Sequence, residues 1–343
     1  MTAGDRPAAS VRQAPARGAG WVRRGLRTLL MLAVLVYLGW CVTLYVMQDA
    51  ILYQAAQAGM PWKDAAIAGL PRLVRMQDAA PDGTRTEAWL FATDQGRSRG
   101  LVVFFHGNAE LIQHALYEAR EWNQRGYDVL LPEYRGYGLA PGKPSQAAIV
   151  ADSLRALRQA AARTGATHLI LHGRSLGTGV AAQVAAAVAT APAAPGIAPS
   201  AAPPATPPAT SLATPPATPP AAPPAASPAA PLVLDALVLE SPFASVAGFA
   251  HGYGVPEFLV SNPYRTNEVL PALQCPILIL HARHDEMVPF EQGQSLAALN
   301  PRARLVEMEG SHNSGLSQDA VYWAAVDDLL KQLPPGTPAQ PSP

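Results

Sequence analysis

Cysteine is almost absent from this chain, which has 343 residues and two cysteines, so no disulfide framework can hold it together. Cys41 lies in a long apolar run, and Cys275, just before an apolar stretch, is typical of a small buried side chain. An excess of charge is also missing, because 25 basic residues balance 25 acidic ones. The sequence therefore lacks the basic footprint of a nucleic-acid-binding protein. The eight histidines lack ligand spacing with acids or cysteines, so we predict no metal site.

Charge is absent altogether from residues 28–48. About 21 helical residues at 1.5 Å each match the roughly 30 Å hydrocarbon core of a bilayer, so this run predicts a transmembrane helix. Six arginines precede it and no basic residue follows until Lys63, which by the positive-inside rule predicts a cytoplasmic N-terminus. A cleaved signal peptide is the alternative, but the run is too long and the small-x-small sequence Ala56-Gln57-Ala58 lies too far beyond it.

A tract of Ala, Pro, Thr and Ser occupies residues 191–231, where paired prolines exclude the interior of a helix or a sheet. We predict a disordered insert there. Without it and the two ends, roughly 240 residues remain, which is the size of one α/β domain. The predicted organisation is a cytoplasmic Arg-rich segment at 1–27, a transmembrane helix at 28–48, one domain at 49–333 interrupted by the insert, and a disordered tail at 334–343.

The pentapeptide Gly173-Arg-Ser-Leu-Gly177 follows the apolar run His168–His172 and precedes a helical pattern. That pattern is an apolar residue at every fourth position: Leu176, Val180, Val184 and Val188. A G-x-S-x-G sequence between a strand and a helix is typical of a nucleophile elbow, a turn so sharp that small residues must flank it. Ser175 is therefore the candidate nucleophile.

A nucleophilic serine needs a base to take its proton and an acid to orient that base. Asp285 follows the predicted strand 276–281, and His312 follows the predicted strand 304–308. The chain order Ser, Asp, His is the order found in folds whose serine lies on a nucleophile elbow. We therefore predict Asp285 as the acid and His312 as the base. Glu240 also ends a predicted strand, residues 232–239, and is the alternative acid.

The tetrahedral intermediate of acyl transfer also needs donors for its oxyanion. A buried strand predicted at 100–105 leads into His106-Gly-Asn-Ala-Glu110. The backbone N–H groups of Asn108 and Leu176 are the predicted pair of donors. Together these residues favour catalysis over a chance motif.

With these residues assigned, the chain resembles the α/β-hydrolase subgroup that one N-terminal helix anchors, which includes the bud-emergence-type and abhydrolase-domain proteins. The resemblance runs from about residue 30 to 332 and is carried by His106-Gly-Asn-Ala109, Glu133-Tyr-Arg-Gly-Tyr-Gly138, Gly142-Lys-Pro-Ser145, Gly173-Arg-Ser-Leu-Gly177, Leu239-Glu-Ser-Pro-Phe243, Asp285-Glu-Met-Val-Pro289 and Gly310-Ser-His-Asn313. It implies the α/β-hydrolase fold: a mostly parallel central sheet with helices on both faces and a short cap. It also implies the nucleophile, acid and base roles for Ser175, Asp285 and His312. The chain departs from the family pattern at Ala140, Gln146 and Glu110.

The expected function is a membrane-anchored serine hydrolase that cleaves an ester or thioester through an acyl-Ser175 intermediate without a cofactor. The expected partners are a small-molecule or acyl substrate and a membrane, with no nucleic acid and no protein partner identified. A peptidase of the same fold and a non-catalytic membrane-tethered scaffold are the alternatives. An Ala-, Arg- and Pro-rich composition is typical of GC-rich bacterial genomes, so we expect a bacterial inner membrane with the hydrolase domain on the periplasmic side.

The sequence also allows predictions about the cap and about two charged residues near the elbow. Residues 242–270 form the predicted cap, whose aromatic residues either line an acyl site or pack as an ordinary small subdomain. Arg174 and Glu110 either steer a charged substrate or lie as solvated loop charges, and we expect the second.

Overall fold

A computed structural model describes residues 19–190 and 231–334 of this chain. The predicted insert, apart from Pro231, lies outside the described residues, as do residues 1–18 and 335–343. The chain divides into two compact units, with the boundary between Gln48 and Asp49.

The first helix, α1, runs from Ala19 to Leu52 and is longer at both ends than the predicted span of 28–48. The prediction counted uncharged residues, whereas helical backbone hydrogen bonds continue through polar flanks as easily as through apolar ones. By length and composition, α1 alone among the helices of residues 19–190 and 231–334 can cross a membrane.

Eight strands form one sheet in the described residues, in the spatial order β1-β2-β4-β3-β5-β6-β7-β8. They are β1 Leu73–Ala79, β2 Arg85–Phe91, β3 Leu101–Phe105, β4 Asp128–Pro132, β5 His168–Arg174, β6 Val233–Glu240, β7 Ile277–Ala282 and β8 Ala303–Met308. The first two pairings, β1 with β2 and β2 with β4, are antiparallel. The other pairings are parallel, which confirms the predicted mostly parallel sheet.

The remaining helices are α2 Asp64–Ala68, α3 Leu116–Gln124, α4 Gln146–Thr164, α5 Leu176–Thr190, α6 Val246–Gly252, α7 Thr266–Val269, α8 Phe290–Ala297 and α9 Ala320–Leu330. Capping residues in the sequence determine where some of these helices begin and end, as α4 illustrates. The Ser145 hydroxyl accepts a hydrogen bond from the Ala148 N–H at the start of α4, and Gly165, with φ 70°, ends that helix in the left-handed conformation.

The central strands are apolar on both faces because helices cover both sides of the sheet. In β3, Leu101, Val103 and Phe105 belong to a core layer that includes side chains of α4, α5 and α8. Val102 and Phe104 point the other way, into a second layer with side chains of α3 and α9. This explains why these strands read as continuous apolar runs rather than as alternating ones.

The connections place the chemistry at one edge of the sheet. Parallel strands β3, β5, β7 and β8 all end at the same edge, where their following loops carry the predicted site residues. Helix α5 starts there at Leu176 and returns over about 22 Å to Thr190. Strand β6 then begins at Val233, which pairs with His168 at the start of β5. The insert therefore joins two elements at the edge opposite Ser175.

Deleting residues 193–227 should therefore leave the chemistry intact. Shortening a loop of about 41 residues to about 6 lowers the entropic cost of bringing its ends together. The deletion should therefore stabilise the domain by about 1–2 kcal/mol. We expect kcat/KM on a small soluble ester to change by less than about threefold. The measurement is esterase activity together with a denaturant titration of the purified variant. A variant that unfolds cooperatively but has lost activity would place the insert in the active site.

Candidate active site

Ser175 lies on the turn between β5 and α5, with a positive φ angle of 49°. Residues other than glycine rarely adopt this conformation, which lifts the side chain out of the line of the strand. The turn is held from two sides: the Ser175 N–H donates to the Glu240 carbonyl oxygen at 2.9 Å, and the Ser175 carbonyl oxygen accepts from the Thr178 N–H at 2.9 Å.

The two glycines of the motif are required by close backbone approach. A Cβ atom on Gly173 would collide with the carbonyl oxygen of Gly177. A Cβ atom on Gly177 would collide with the carbonyl oxygen of Phe105, at the end of the neighbouring strand β3. The motif therefore brings the oxyanion loop after β3 directly against the first turn of α5.

His312 connects the predicted nucleophile and acid. Its Nε2 atom lies 2.9 Å from Ser175 Oγ, and its Nδ1 atom lies 2.8 Å from Asp285 Oδ2. The carboxylate accepts, so Nδ1 carries the proton and Nε2 is the bare nitrogen that faces the serine hydroxyl. The structure thus brings Ser175, His312 and Asp285 together in the geometry of a nucleophile, a base and an orienting acid.

Asp285 is held as an anion by donors on several sides. Its Oδ1 atom accepts from the Val288 N–H at 2.7 Å and from the Met287 N–H at 3.0 Å. The buried His281 ring lies behind it, with Nε2 3.5 Å from Oδ2. Burial opposes the charge, but hydrogen bonds from His281, His312 and Val288 lower the pKa of Asp285 below its usual range.

Glu240, the alternative acid, has other partners. Its carboxylate accepts from Arg174 Nε at 3.0 Å and from the Tyr322 hydroxyl at 2.9 Å. His312 makes its carboxylate contact with Asp285, so the geometry favours Asp285 as the acid.

The predicted oxyanion donors are the backbone N–H groups of Asn108 and Leu176. Within the described residues, neither the Asn108 N–H nor the Leu176 N–H has a hydrogen-bond partner. Leu176 is the first residue of α5, where an N–H lacks an intrahelical acceptor and the helix dipole favours negative charge. Two N–H groups without a protein acceptor, one on the loop after β3 and one next to Ser175 in the chain, form the kind of donor pair that an oxyanion requires.

A buried ion pair supports the loop that carries Asn108. His106 Nε2 lies 2.9 Å from Glu133 Oε1, and His106 Nδ1 lies 2.9 Å from the Gly107 carbonyl oxygen. Burial lowers the pKa of His106, but the Glu133 carboxylate outweighs burial and raises it above the usual value. Tyr134 stacks on the imidazole with ring centroids 3.9 Å apart. Tyr134 and its neighbour Tyr137 are buried and therefore pack beneath the site rather than line its mouth.

Arg174 is the main residue that sequence reasoning misjudged. We expected a solvated loop charge, but the side chain is only 16% exposed and its guanidinium lies between carboxylates from three separate elements. It contacts Glu240 at the end of β6, Glu118 on α3 and, at 3.4 Å, Glu110 on the oxyanion loop. Burial opposes its charge, but these carboxylates raise the pKa of Arg174 well above the usual value.

Glu110 is also paired with protein groups rather than fully solvated, with its side chain 26% exposed. One carboxylate oxygen contacts Arg174 and the other accepts from the Gly107 N–H at 2.7 Å. Burial raises the pKa of Glu110, but Arg174 and the Gly107 N–H outweigh burial and lower it. Arg174 and Glu240 are charged residues at the ends of otherwise apolar strands. That position is the sequence feature that could have indicated an ion pair between them.

A chain of hydrogen bonds continues from this cluster into the core. The Trp122 indole N–H donates to His172 Nδ1 at 3.0 Å, so His172 Nε2 carries the proton and donates to the Tyr322 hydroxyl at 2.7 Å. Tyr322 in turn donates to Glu240. Burial lowers the pKa of His172 well below the usual value, which keeps this ring neutral in the chain.

The predicted cap, residues 242–270, divides into two kinds of aromatic residue. Phe243 and Tyr264 are buried and pack against α5, where a Cβ on Gly179 would come within 3.0 Å of both. Tyr253 and Phe258 are exposed, at 69% and 84%. For Phe243 and Tyr264, ordinary packing is therefore the correct interpretation.

A cavity of about 240 Å³ lies apart from the triad. It is lined by the β1–β2 hairpin and by residues that include Trp62, Gln113 and Leu139, and none of the triad residues lines it. Within residues 19–190 and 231–334, no three His, Cys, Asp or Glu side chains are grouped to hold a metal ion.

Comparison with known proteins shows which families the chain is similar to. A family model described as serine aminopeptidase S33 matches residues 96–232. The α/β-hydrolase domain-containing protein WAV2 of Arabidopsis thaliana is 28% identical over 279 residues, which cover 74% of this chain and 77% of that protein. The lysophosphatidylserine lipase ABHD12 of Macaca fascicularis is 28% identical over 225 residues, covering 60% of this chain but only 47% of the lipase.

Solved structures share the fold at low sequence identity. The esterase Pf2001 of Pyrococcus furiosus superposes with a TM-score of 0.53 at 16% identity, covering 80% of this chain and 94% of the esterase. Est1E of Butyrivibrio proteoclasticus, in a structure with ferulic acid bound, gives a TM-score of 0.54 at 17% identity and covers 75% and 98%. The chain has the α/β-hydrolase fold, and its sequence is similar to a serine-hydrolase family model and to abhydrolase-domain proteins, as its motifs predicted.

Replacing each of the two candidate acids should have a different effect on kcat. Asp285→Asn removes the carboxylate that holds the His312 tautomer, so kcat should fall by about 10⁴-fold. Glu240→Gln keeps the side-chain shape and an oxygen that can accept from Arg174 Nε, so kcat should change by less than about tenfold. Steady-state kinetics on one ester substrate compares the two. The reverse ranking would transfer the acid role to Glu240.

The buried Arg174 cluster makes a prediction for stability. Arg174→Met leaves the carboxylates of Glu118 and Glu240 buried without their cation, which should lower the free energy of unfolding by about 3–5 kcal/mol. Arg304→Met makes the same change in charge at a surface pair, where Arg304 lies 3.8 Å from Asp328 with its side chain 54% exposed. That control should cost less than about 1 kcal/mol. Denaturant titrations giving equal losses would show that burial of the cluster has no energetic consequence.

Proposed function

We propose that this protein hydrolyses a carboxylic ester or thioester through an acyl intermediate on Ser175. The observation that carries the proposal is the continuous contact from Ser175 Oγ through His312 to Asp285, with distances of 2.9 Å and 2.8 Å. A serine hydroxyl is a weak nucleophile alone, and this arrangement supplies the base and the orienting acid that activate it.

The geometry supports the following sequence of steps. His312 Nε2 takes the hydroxyl proton as Ser175 Oγ attacks the acyl carbon, and Asp285 stabilises the resulting imidazolium through Nδ1. The N–H groups of Asn108 and Leu176 bind the oxyanion of the tetrahedral intermediate. Collapse of the intermediate expels the alcohol or thiol, which receives the proton from His312. A water molecule then attacks the acyl-enzyme by the same route and releases the acid, and no cofactor takes part.

Related proteins support an acyl substrate. The matched relatives include enzymes named as lysophosphatidylserine lipases, and the superposed structures include esterases. The chain spans about half the length of those lipases, so we carry over the class of reaction and not their substrate.

A peptidase is the second candidate, because the matching family model is described as a serine aminopeptidase. An aminopeptidase must bind a free amino group, for which carboxylates are the usual partners. Three carboxylates around the elbow, those of Glu110, Glu118 and Glu240, are instead engaged by Arg174. This pairing favours an ester or thioester over a peptide. A non-catalytic scaffold, the remaining alternative, offers no reason for the contact between Ser175 and His312.

Replacement of the nucleophile tests the proposal. Ser175→Ala should fold normally but lose about 10⁴- to 10⁶-fold in kcat and all labelling by a fluorophosphonate probe. Ser241→Ala is the matched control, because Ser241 also follows a strand and has the same φ angle of 49°. It should keep both activity and labelling. Undiminished ester hydrolysis by Ser175→Ala would overturn the hydrolytic role of this serine.

We also propose that α1 anchors the protein in a membrane by a single pass, with the N-terminus in the cytoplasm. The helix is long and apolar enough for this, and six arginines precede its uncharged stretch whereas only Asp49 follows closely. The composition fits a bacterial inner membrane, with the hydrolase domain in the periplasm.

A fusion experiment tests this orientation. A phosphatase that is active only outside the cytoplasm, joined at about residue 60, should be active in bacterial cells. Replacing Arg23, Arg24 and Arg27 by neutral residues should reduce that activity by giving a mixed orientation. An inactive wild-type fusion, with the same phosphatase active behind a known export signal, would place the hydrolase domain in the cytoplasm.

A further inference from the structure

The last turn of α1 and the chain that follows it are hydrogen bonded to the catalytic edge of the domain. We call residues 49–62 the exit strap. Its first residue, Asp49, accepts a hydrogen bond from the Asn262 carboxamide at 2.8 Å. The Tyr53 side chain is buried in the core, and its hydroxyl lies 3.1 Å from that of Tyr264. The far end is attached too, because Gln113 accepts from the Trp62 N–H at 2.6 Å.

The middle of the exit strap contacts the oxyanion loop through one side chain. Asn108 Nδ2 donates to the Leu52 carbonyl oxygen at 2.7 Å, and Asn108 Oδ1 accepts from the Gln54 N–H at 2.9 Å. Leu52 is the last residue of α1, where carbonyl groups have no intrahelical donor, so Asn108 satisfies a group that the helix leaves unpaired. The carboxamide thus binds both neighbours of Tyr53 in the strap.

The same carboxamide also holds its own loop. Asn108 Oδ1 accepts from the Tyr137 hydroxyl at 2.7 Å and from the Ala109 N–H at 3.1 Å. Ala109 has a φ angle of 54°, a conformation that residues other than glycine rarely adopt and that persists where surrounding contacts hold it. The carboxamide therefore holds the peptide group that follows Asn108, and His106 Nδ1, 2.9 Å from the Gly107 carbonyl oxygen, holds the peptide group that precedes it. One of them carries the N–H that we assign to the oxyanion hole.

We propose that the Asn108 side chain is a positioning group for the oxyanion hole and that the exit strap holds it in place. The segment that follows the apolar helix is then part of the catalytic apparatus and not only a tether. This inference rests on the proposed acyl-transfer function, since an oxyanion donor stabilises the transition state only when it lies within about 2.7–3.1 Å of the oxyanion.

Kinetics of the full-length protein in detergent micelles tests the role of Asn108. Asn108→Ala removes the carboxamide but keeps the backbone N–H, so misplacement of that N–H should lower kcat by about 10- to 100-fold, with KM within about threefold. The affinity for a boronic acid that mimics the tetrahedral intermediate should fall by the same factor as kcat/KM. A loss confined to KM would overturn the proposal.

The matched control is Asn262→Ala, which removes another carboxamide that binds the exit strap but does not touch the oxyanion loop. It should lower Tm without changing kcat by more than about threefold. Equal kcat losses for the two variants at equal Tm losses would reduce Asn108 to a purely structural residue and overturn the proposal.

A second pair of variants tests the exit strap itself. Gln54→Pro removes the N–H that binds Asn108, whereas Gln54→Ala keeps it, and in both variants the glutamine side chain is lost. We expect Gln54→Pro to have a kcat about tenfold below that of Gln54→Ala, with a matching loss of boronic acid affinity. Equal kcat values for the two folded variants would show that the strap does not position the loop. Failure of the wild-type protein itself to turn over esters would instead overturn the proposed function.

Discussion

The backbone of Ser175 is held in a conformation that a serine does not prefer, and the arrangement of the site depends on it. A left-handed φ costs an L-residue about 1–2 kcal/mol, so it persists only where the neighbours determine it. Here the determinants are backbone contacts from β6 and α5 and the absence of side chains at Gly173 and Gly177. The same turn aims Oγ at His312, starts α5 with a free N–H, and brings the end of β3 against that helix.

Two buried clusters of charge lie at this turn, and each supports one half of the predicted oxyanion hole. Arg174 directly precedes Ser175, and the ion pair of His106 and Glu133 lies beneath the loop of Asn108. Glu110 joins the two halves, because it binds Arg174 with one oxygen and the Gly107 N–H with the other. Buried ion pairs contribute little net stability compared with apolar packing, but a buried charge tolerates few alternative positions for its partners. Their consequence here is precise placement of two backbone segments.

The exit strap extends the same principle to the N-terminal side of the domain. A hydrolase domain and a membrane helix can in principle be joined by any linker, because loop length has only a weak effect on stability. In this chain the joining segment is instead hydrogen bonded to the cap, to the oxyanion loop and to Gln113. Residues 49–62 therefore have two roles: they connect the domain to the helix, and they contact the loop that carries Asn108.

Much of this protein follows from local sequence, because apolar runs, the change from strand to helix and the small residues of the elbow are local properties. The family resemblance implied a mostly parallel sheet with helices on both faces, and the motif at 173–177 predicted the turn that the structure shows. The positions of Asp285 and His312 after predicted strands, together with the chain order Ser, Asp, His, predicted the triad, and these three residues do lie in contact. Their catalytic roles remain predictions.

Only the tertiary structure decided the partners of the charged and polar side chains. Arg174, Glu118 and Glu240 are far apart in sequence, and nothing local distinguishes a solvated charge from one that three elements enclose. The side chain of Asn108 is another example, since its partners Leu52 and Gln54 come from a different segment more than 50 residues earlier. Backbone periodicity is determined by each segment alone, whereas burial and pairing of a side chain depend on which segments meet, and that is a property of the whole fold.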